Sequence, residues 1–224
     1  MFTTQNKIDF SNTEVAFKDK TSNELRQSHL LFRVMNNNAM VKLGKKMVNF
    51  AFAIHFPIRG IIRNTIYKHF VGGTSISDCA KTIDRLARRN VKAILDFAVE
   101  GEEKDELFDA TCDEVIRTIE FARGNKNTPF SAFKITGIGR FLLLAKMSDE
   151  VEVTDDEKAE FERVYNRVDR IFKRGYELGV PILIDAQHSS IQPILDKMVL
   201  EMMEKYNKQK AIVQNTYQMY RHDA

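Results

Sequence analysis

Four short apolar runs of strand length end in polar residues, and a helical pattern follows each of the first three. The runs occupy residues 93–100, 132–139, 182–188 and 211–218. The segments between them carry apolar residues at steps of three and four, which is the period of an amphipathic helix. This alternation favours parallel strands joined by right-handed crossovers, with helices outside the sheet. A carboxylate such as Asp185, at the end of the third run, then lies where α/β proteins bind ligands.

The number of strand-helix units sets the expected architecture. Four units are about half of what a closed (β/α)8 barrel contains. We therefore predict an α/β fold in which residues 71–224 form the first half of a TIM-type barrel, with four parallel strands and outer helices. Residues 1–70 read as an α-helical N-terminal extension. A half barrel exposes two strand edges and its apolar lining, so we expect a complementary chain or a second copy to cover them.

Capping residues and turns mark several helix boundaries. We expect a helix from about residue 39 to 55 in the extension, ending before a proline. Thr74 or Ser75 is expected to cap the helix that precedes the first strand. Thr154 with Glu157 at the third position predicts a capping box at the start of the helix before the third strand.

Composition excludes several functional classes. The 34 basic and 31 acidic side chains nearly balance, and no basic stripe with interleaved aromatic residues is visible, so nucleic acid is not an expected partner. Cys79 and Cys112 lie in predicted helices and far from any Cys-x-x-Cys spacing, which argues against a disulfide framework and a zinc site. A reducing compartment fits these cysteines best.

The chain start lacks the pattern of a secretory signal, and we predict a cytoplasmic protein. The most apolar stretch, residues 47–58, is about half the length needed to cross a bilayer. We interpret it as a packing helix. Peripheral contact with a membrane surface is the alternative, because Lys45 and Lys46 precede the apolar run.

Lys134 is the candidate cation of the predicted site. It lies between Phe133 and Ile135 in a predicted strand, so its side chain points to the opposite face from theirs. On the ligand side, its ammonium would hold a substrate carboxylate or its amine would form a Schiff base. The structural alternative is a lysine whose stem packs at the strand end while its charge stays in water.

Carboxylates from two strands are expected to converge. Asp96 and Glu100 share one strand face, as do Asp185 and Gln187. Converging carboxylates indicate either a divalent metal, with Asp96, Glu100 and Asp185 as ligands, or a cationic partner. The structural alternative is that they cap helices or pair with outer arginines. His188 could act as a base, but the spacing reveals no orienting partner, which favours a solvent-facing loop histidine.

Four motifs carry a family resemblance. They are Leu-Asp-Phe-Ala-Val-Glu-Gly-Glu at 95–102, Phe-Lys-Ile-Thr-Gly-Ile-Gly at 133–139, Ile-Asp-Ala-Gln-His-Ser at 184–189 and Asn-Thr-Tyr-Gln at 215–218. In this order and spacing, from about residue 70 to the end, they resemble proline dehydrogenase. The resemblance implies a (β/α)8 barrel that binds FAD and oxidises L-proline to 1-pyrroline-5-carboxylate. It also implies electron transfer to a quinone or another acceptor, and hence a peripheral position at the inner membrane as an alternative location.

The resemblance assigns roles to individual residues. Lys134 matches the lysine near the substrate carboxylate, and Asp185 matches the strand-end aspartate that supports it. Glu100 matches the acidic residue that pairs with a substrate-binding arginine. Asn215 occupies the position of a polar amide that approaches the flavin. Gln187 departs from the family's usual Asp-Ala-Glu and removes a negative charge from the site.

The family's later strands, with the arginine pair that clamps proline, have no counterpart in these residues. We therefore expect weak or no activity of this chain alone, as for the first part of a split or truncated enzyme. Two alternatives belong to other classes. One is a Schiff-base lyase or aldolase that uses Lys134, with Asp96 or Asp185 as proton shuttle. The other is a non-catalytic half-barrel module that pairs with a second chain.

Overall fold

The computed structural model describes residues 11–97, 99 and 103–222. The chain divides into two compact units, which comprise residues 1–74 and 75–224. The first unit is helical among its described residues, and the second contains a parallel sheet with helices. Glu100, one of the residues singled out in the sequence, lies outside the described part of the chain.

The N-terminal unit consists of short helices. They are α1 (Thr13–Ala16), α2 (Ser22–Met35), α3 (Asn38–Ala53), α4 (Arg59–Ile62), a π-helical turn (Arg63–Tyr67) and α5 (Lys68–Phe70). Asn37 caps α3 by accepting hydrogen bonds from two backbone amides. The predicted helix over 39–55 ends earlier, at Ala53, and His55 adopts a positive φ of 55°, which a helix cannot continue through. Among the described residues, every helix is too short or too polar to traverse a lipid bilayer.

The second unit alternates helices and strands. Its elements are α6 (Ile76–Ala87), β1 (Leu95–Asp96), α7 (Asp105–Ala122), β2 (Ser131–Phe133), a 3-10 turn (Ile135–Gly137), α8 (Phe141–Ser148), α9 (Asp155–Leu178), β3 (Ile182–Ile184), α10 (Gln192–Tyr206) and β4 (Val213–Asn215). All neighbouring strands pair in parallel, in the order β1-β2-β3-β4. The predicted α/β class with four parallel strands is confirmed.

The strands are shorter than the apolar runs that predicted them. Lys134 was expected inside a strand, but β2 ends at Phe133 and Lys134 opens the 3-10 turn. The reason is local, because the amide of Gly137 donates to the carbonyl oxygen of Lys134 at 3.0 Å and draws the backbone away from the sheet. The sheet register pairs Phe133 with Ile184 and Ile184 with Asn215. The residues just beyond these pairs therefore lie at one edge of the sheet.

The core lies between the sheet and the helices α7, α9 and α10. Phe133 of β2 and Phe172 of α9 meet edge to face with 5.8 Å between ring centroids, and both are fully buried. Gly175 lets α9 approach β3, because a Cβ there would lie 2.4 Å from the side chain of Ile182. This packing fixes the strand ends on which the site is built.

The helix boundaries in this unit follow their capping residues. Ser75 caps α6, and Thr154 forms the predicted capping box with Glu157 at the start of α9. Both sequence predictions are confirmed. Cys79 lies in α6 and Cys112 in α7, and both are free thiols. Burial raises the pKa of Cys112 to about 11, so it behaves as an apolar core residue at neutral pH.

Candidate active site

Three neighbouring strands deliver one cation and two carboxylates to the same place. The Lys134 Nζ atom lies 3.1 Å from Oδ2 of Asp96 and 3.3 Å from Oδ2 of Asp185. Asp96 ends β1, Lys134 follows β2 and Asp185 follows β3. Because these strands are parallel, residues at their carboxyl ends meet at one edge of the sheet. The structure thus brings Lys134 and Asp185 together, and adds Asp96 as a second partner.

The two aspartates stabilise the protonated form of Lys134. Burial lowers its pKa, but the hydrogen bonds and charges of Asp96, and then of Asp185, outweigh burial and raise the pKa above the usual lysine value. The side chain remains 20% exposed. Lys134 is therefore an ammonium at neutral pH, and the cationic partner foreseen for the converging carboxylates is a residue of the chain itself.

The metal alternative receives no support from the described part of the chain. Within residues 11–97, 99 and 103–222, no group of three or more His, Cys, Asp or Glu side chains is arranged to hold a metal ion. Of the three suggested ligands, Asp96 and Asp185 both contact Lys134. Glu100 falls outside the described residues.

Gln187 bridges the ends of β2 and β3. Its Oε1 accepts a hydrogen bond from the Thr136 amide at 3.2 Å, and its Nε2 donates to the Thr136 hydroxyl at 2.6 Å. Its own amide donates to Gln192 Oε1 at 2.9 Å, and Gln192 Nε2 donates to Asp196 at 2.8 Å. Asn215 Nδ2 reaches the same Asp196 oxygen at 2.8 Å. A network of side-chain amides that share the Asp196 carboxylate thus links the ends of three strands.

Thr216 holds the backbone on either side of Asp185, a role that the sequence reasoning missed. Its hydroxyl accepts a hydrogen bond from the Ala186 amide at 2.6 Å and donates to the Ile184 carbonyl at 2.8 Å. The sequence placed Thr216 inside the fourth predicted strand, whereas it lies one residue beyond the end of β4. Asn215, the predicted flavin contact, already engages the Thr216 amide at 3.0 Å as well as Asp196.

A cavity of about 750 Å³ opens beside Lys134 at the strand ends. Its polar lining includes the side chains of Lys134, Gln187 and Gln218. The Oε1 atom of Gln218 is buried and has no hydrogen-bond partner among the described residues. The other lining residues are Glu103, Thr136, Arg140, Phe141, Leu142, Ala186, His188, Ser189, Ile191 and Tyr220. A buried acceptor without a donor is costly, so a ligand that brought a donor to this oxygen would offset that cost.

His188 is exposed, as expected, but its ring has a fixed orientation. Its Nδ1 lies 2.9 Å from the Ser190 hydroxyl and accepts a hydrogen bond from the Ser190 amide at 3.3 Å. The ring also packs edge-on to Phe141, with 6.0 Å between centroids. The inference that no partner orients His188 was therefore wrong, because the partner comes from two residues further along the loop. With Nδ1 accepting, a neutral ring presents Nε2–H.

Comparisons with known proteins identify the sequence relatives. A family profile described as proline dehydrogenase matches residues 79–224. The carbapenem antibiotics biosynthesis protein CarD of Pectobacterium carotovorum subsp. carotovorum is 31% identical over 160 residues, which is 71% of this chain and 42% of that protein. The mitochondrial proline dehydrogenase 1 of Dictyostelium discoideum is 26% identical over 254 residues, which is 96% of this chain and 44% of that protein.

A solved structure shares the fold. It is the crystal structure of proline utilization A (PutA) from Bdellovibrio bacteriovorus inactivated by N-propargylglycine, with a TM-score of 0.58 and 16% identity over 98% of this chain and 24% of that one. This likeness confirms a TIM-barrel-type arrangement of the four strands and outer helices. The chain spans less than half the length of the two curated relatives described above.

Proposed function

The chain belongs to the proline dehydrogenase family, and we propose that the protein oxidises L-proline to 1-pyrroline-5-carboxylate with FAD as hydride acceptor. The observation that carries this proposal is the contact of Lys134 with Asp96 and Asp185 at the strand ends, beside the cavity. We also propose that electrons pass to a quinone or another acceptor. A cytoplasmic protein, with peripheral contact at the inner membrane as the alternative, remains our proposal for location.

The charges of the site suit a zwitterionic substrate. At neutral pH, proline carries a carboxylate and a ring ammonium on neighbouring atoms. Lys134 offers a positive charge for the carboxylate, and its two aspartates keep that lysine protonated. Asp185 and Asp96 also fix the Lys134 side chain, so less freedom is lost when substrate binds. We propose that Lys134 and Asp185 act in this way, and that Glu100 pairs with a substrate-binding arginine.

The polar lining of the cavity supports the proposal that FAD binds beside it. The buried Gln218 Oε1 lacks a donor within the described residues, and a ring N–H of the cofactor would satisfy it. Asn215 keeps one amide hydrogen and one lone pair beyond its two contacts, so it could add a further polar contact. When bound, FAD supplies the hydride acceptor for the ring carbon next to nitrogen. Lys134 and its partners bind and orient the substrate.

Lys134 is a poor Schiff-base nucleophile. A lysine attacks a carbonyl as the neutral amine, which needs a lowered pKa. The two carboxylates raise the pKa of Lys134 instead. The structure therefore favours the binding role over the lyase alternative.

We propose that these four strands supply one half of a closed barrel mouth, and that further strands from the same or a complementary polypeptide supply the remaining substrate and flavin contacts. Both β1 and β4 are edge strands of the described sheet, which leaves room for such pairing. Accordingly, we expect weak or no turnover by these 224 residues alone. The alternative of a half barrel without catalytic function predicts no proline-dependent turnover even with a second chain bound.

Proline-dependent reduction of an artificial electron acceptor, with FAD present, tests the proposed activity. We expect turnover by the protein together with whatever polypeptide completes the barrel, and a loss of kcat/KM on the order of 100-fold for Lys134→Met. Lys146→Met is the matched control, because Lys146 also pairs with a carboxylate, that of Glu157, but does not line the cavity. Absence of proline-dependent reduction in the completed protein would overturn the proposal.

A further inference from the structure

Arg167 of α9 is buried and almost fully hydrogen-bonded. Its side chain is 3% exposed. Its Nε donates to Asp109 at 2.7 Å, and its Nη2 donates to the Asp105 carboxylate at 2.8 Å and to the Asp105 carbonyl at 3.4 Å. Its Nη1 donates to the carbonyl oxygen of Ile138 at 3.3 Å. Four contacts engage a group with five N–H donors, and the guanidinium also lies over the ring of Phe108.

The partners of Arg167 belong to the two segments that follow β1 and β2. Asp105 begins α7, the first element after β1. Ile138 ends the 3-10 turn that Lys134 opens, and its amide donates to the Ile135 carbonyl at 3.0 Å. One guanidinium therefore joins the start of α7 to the turn that carries Lys134.

Two glycines press the same turn against its neighbours. A Cβ on Gly137 would lie 3.0 Å from the carbonyl oxygen of Val99, in the segment after β1. A Cβ on Gly139 would lie 2.8 Å from the side chain of Val164, one turn before Arg167 on α9. The turn after β2 is thus in close contact with Val99 and with α9, the helix that carries Arg167, so a shift of the guanidinium would be transmitted to it.

We propose that Arg167 is a positioning residue that sets the distance between Lys134 and Asp96 by holding the start of α7, a helix that packs against β1 and β2, to the turn after β2. The consequence for catalysis rests on the proposed function, whereas the effect on Lys134 does not. An ion pair at 3.1 Å weakens when its partners separate. Lysine in place of Arg167 keeps the charge but cannot span two carboxylates and a carbonyl, because its three donors lie on one nitrogen.

Competitive acylation of lysines, read for each residue by mass spectrometry, tests this proposal without any need for substrate turnover. Acylation requires the neutral amine. At Lys134, the fraction of neutral amine depends mainly on the contacts with Asp96 and Asp185, and Arg140 and Glu103 are further charged groups that line the same cavity. In Arg167→Lys, we expect the acylation rate of Lys134 below its pKa to rise roughly threefold, since a half-unit fall in pKa raises the neutral fraction by that factor.

The matched control is Arg170→Lys. Arg170 is on the same helix and pairs with Asp113 of α7 at 2.8 Å, but it is half exposed. Arg170→Lys is expected to leave Lys134 acylation unchanged. A folded Arg167→Lys protein that acylates Lys134 at the wild-type rate would overturn the proposal.

A second pair of variants keeps the test decisive if Arg167→Lys fails to fold. Asp105→Ala removes the anchor on the β1 side, and its 40% exposed carboxylate makes this change tolerable. Asp113→Ala is its control, with a 52% exposed carboxylate on the same helix. We expect faster acylation of Lys134 in the first variant only, and equal rates in both would refute the proposal. In the completed protein, Arg167→Lys should raise KM for proline more than it lowers kcat.

The acylation test also separates this proposal from the proposed function. If the wild type and all variants lack proline turnover but still differ in Lys134 acylation as expected, only the proposed function is refuted.

Discussion

Lys134 and Arg167 are two cations in the same unit, and each lies between two aspartates. Arg167 is 3% exposed and makes four hydrogen bonds. Lys134 is 20% exposed, uses two of its three donors on Asp96 and Asp185, and lines a cavity. The pairs of charges are alike, and each cation uses all but one of its N–H donors, but their access differs. A cation that is enclosed organises the fold, whereas one that lines a cavity is available to a ligand.

Charge state does not separate the two groups. For both, burial lowers the pKa and the carboxylates more than compensate, Asp109 before Asp105 for Arg167 and Asp96 before Asp185 for Lys134. Both remain protonated at neutral pH. Their roles therefore have to be distinguished by substitutions that change packing or access, rather than by titration alone.

The largest effect should follow from the loss of Arg167. Arg167→Met leaves the carbonyl of the buried Ile138 and the Asp109 carboxylate without this donor, whereas Asp105 keeps Arg163. Because both carboxylates reach solvent, the unsatisfied carbonyl dominates, and we expect the free energy of unfolding to fall by about 1–3 kcal/mol. Urea unfolding measures this change. Arg170→Met should cost about 0–1 kcal/mol, because its ion pair is solvent-exposed. Equal losses in the two variants would remove the distinction between the sites.

Replacing Lys134 by arginine tests whether a guanidinium can do the work of the ammonium at this position. In Lys134→Arg, the planar fork can engage Asp96 and Asp185 together, and its rigid geometry then fixes the direction of the remaining N–H groups, whereas the ammonium of Lys134 can turn its donors toward substrate. We expect KM for proline to rise by about tenfold, a change of about 1.4 kcal/mol, with no loss of stability. Steady-state kinetics and thermal melting report the two quantities. An unchanged KM would show that the unsaturated donor of Lys134 is not used.

A smaller effect is expected at the amide bridge beside Lys134. Gln187→Glu removes the donor to the Thr136 hydroxyl and adds a negative charge to the site. The hydroxyl can rotate to donate instead, so we expect only about 1 kcal/mol of destabilisation, together with a further rise in the pKa of Lys134. Unfolding and site-specific acylation test the two parts. Gln214→Glu, in the middle of β4, serves as the control for added charge alone.

The smallest effect concerns acid stability at the Arg167 cluster. Hydrogen bonds from Arg163 and then Arg167 lower the pKa of Asp105. Its stabilisation is therefore complete above the ordinary aspartate pKa and is lost as the pH falls through the lowered value in the folded protein. Because this carboxylate is 40% exposed, we expect the contribution to be below about 1 kcal/mol. In Asp105→Asn, stability should depend less on pH below about pH 4; an unchanged acid profile would exclude this contribution.

The sequence predicts the sheet well and the ends of its strands poorly. Alternating periodicity identifies four strands, and their parallel order follows from the crossovers between them. Strand ends depend on hydrogen bonds such as that from Gly137 to Lys134, which periodicity does not encode. This is why Lys134 was expected inside β2 rather than at the start of a turn.

The candidate site was predictable where strand neighbours determine it and not where loops do. Lys134 and Asp185 follow adjacent parallel strands, so their meeting could be inferred. The Ser190 contact that orients His188 depends on a local loop conformation. Arg167 did leave a signal, since it interrupts the apolar face formed by Val164 and Val168, and a buried arginine requires nearby carboxylates.

The central claim, that Lys134 holds the carboxylate of a proline-like substrate, is tested most directly by calorimetric titration of the completed protein with FAD. The ligand should be a five-membered ring carboxylate that lacks the oxidisable ring nitrogen, so that binding is measured without turnover. The account predicts an affinity loss on the order of 100-fold for Lys134→Met and wild-type affinity for Lys146→Met. Wild-type affinity in a folded Lys134→Met protein would contradict it.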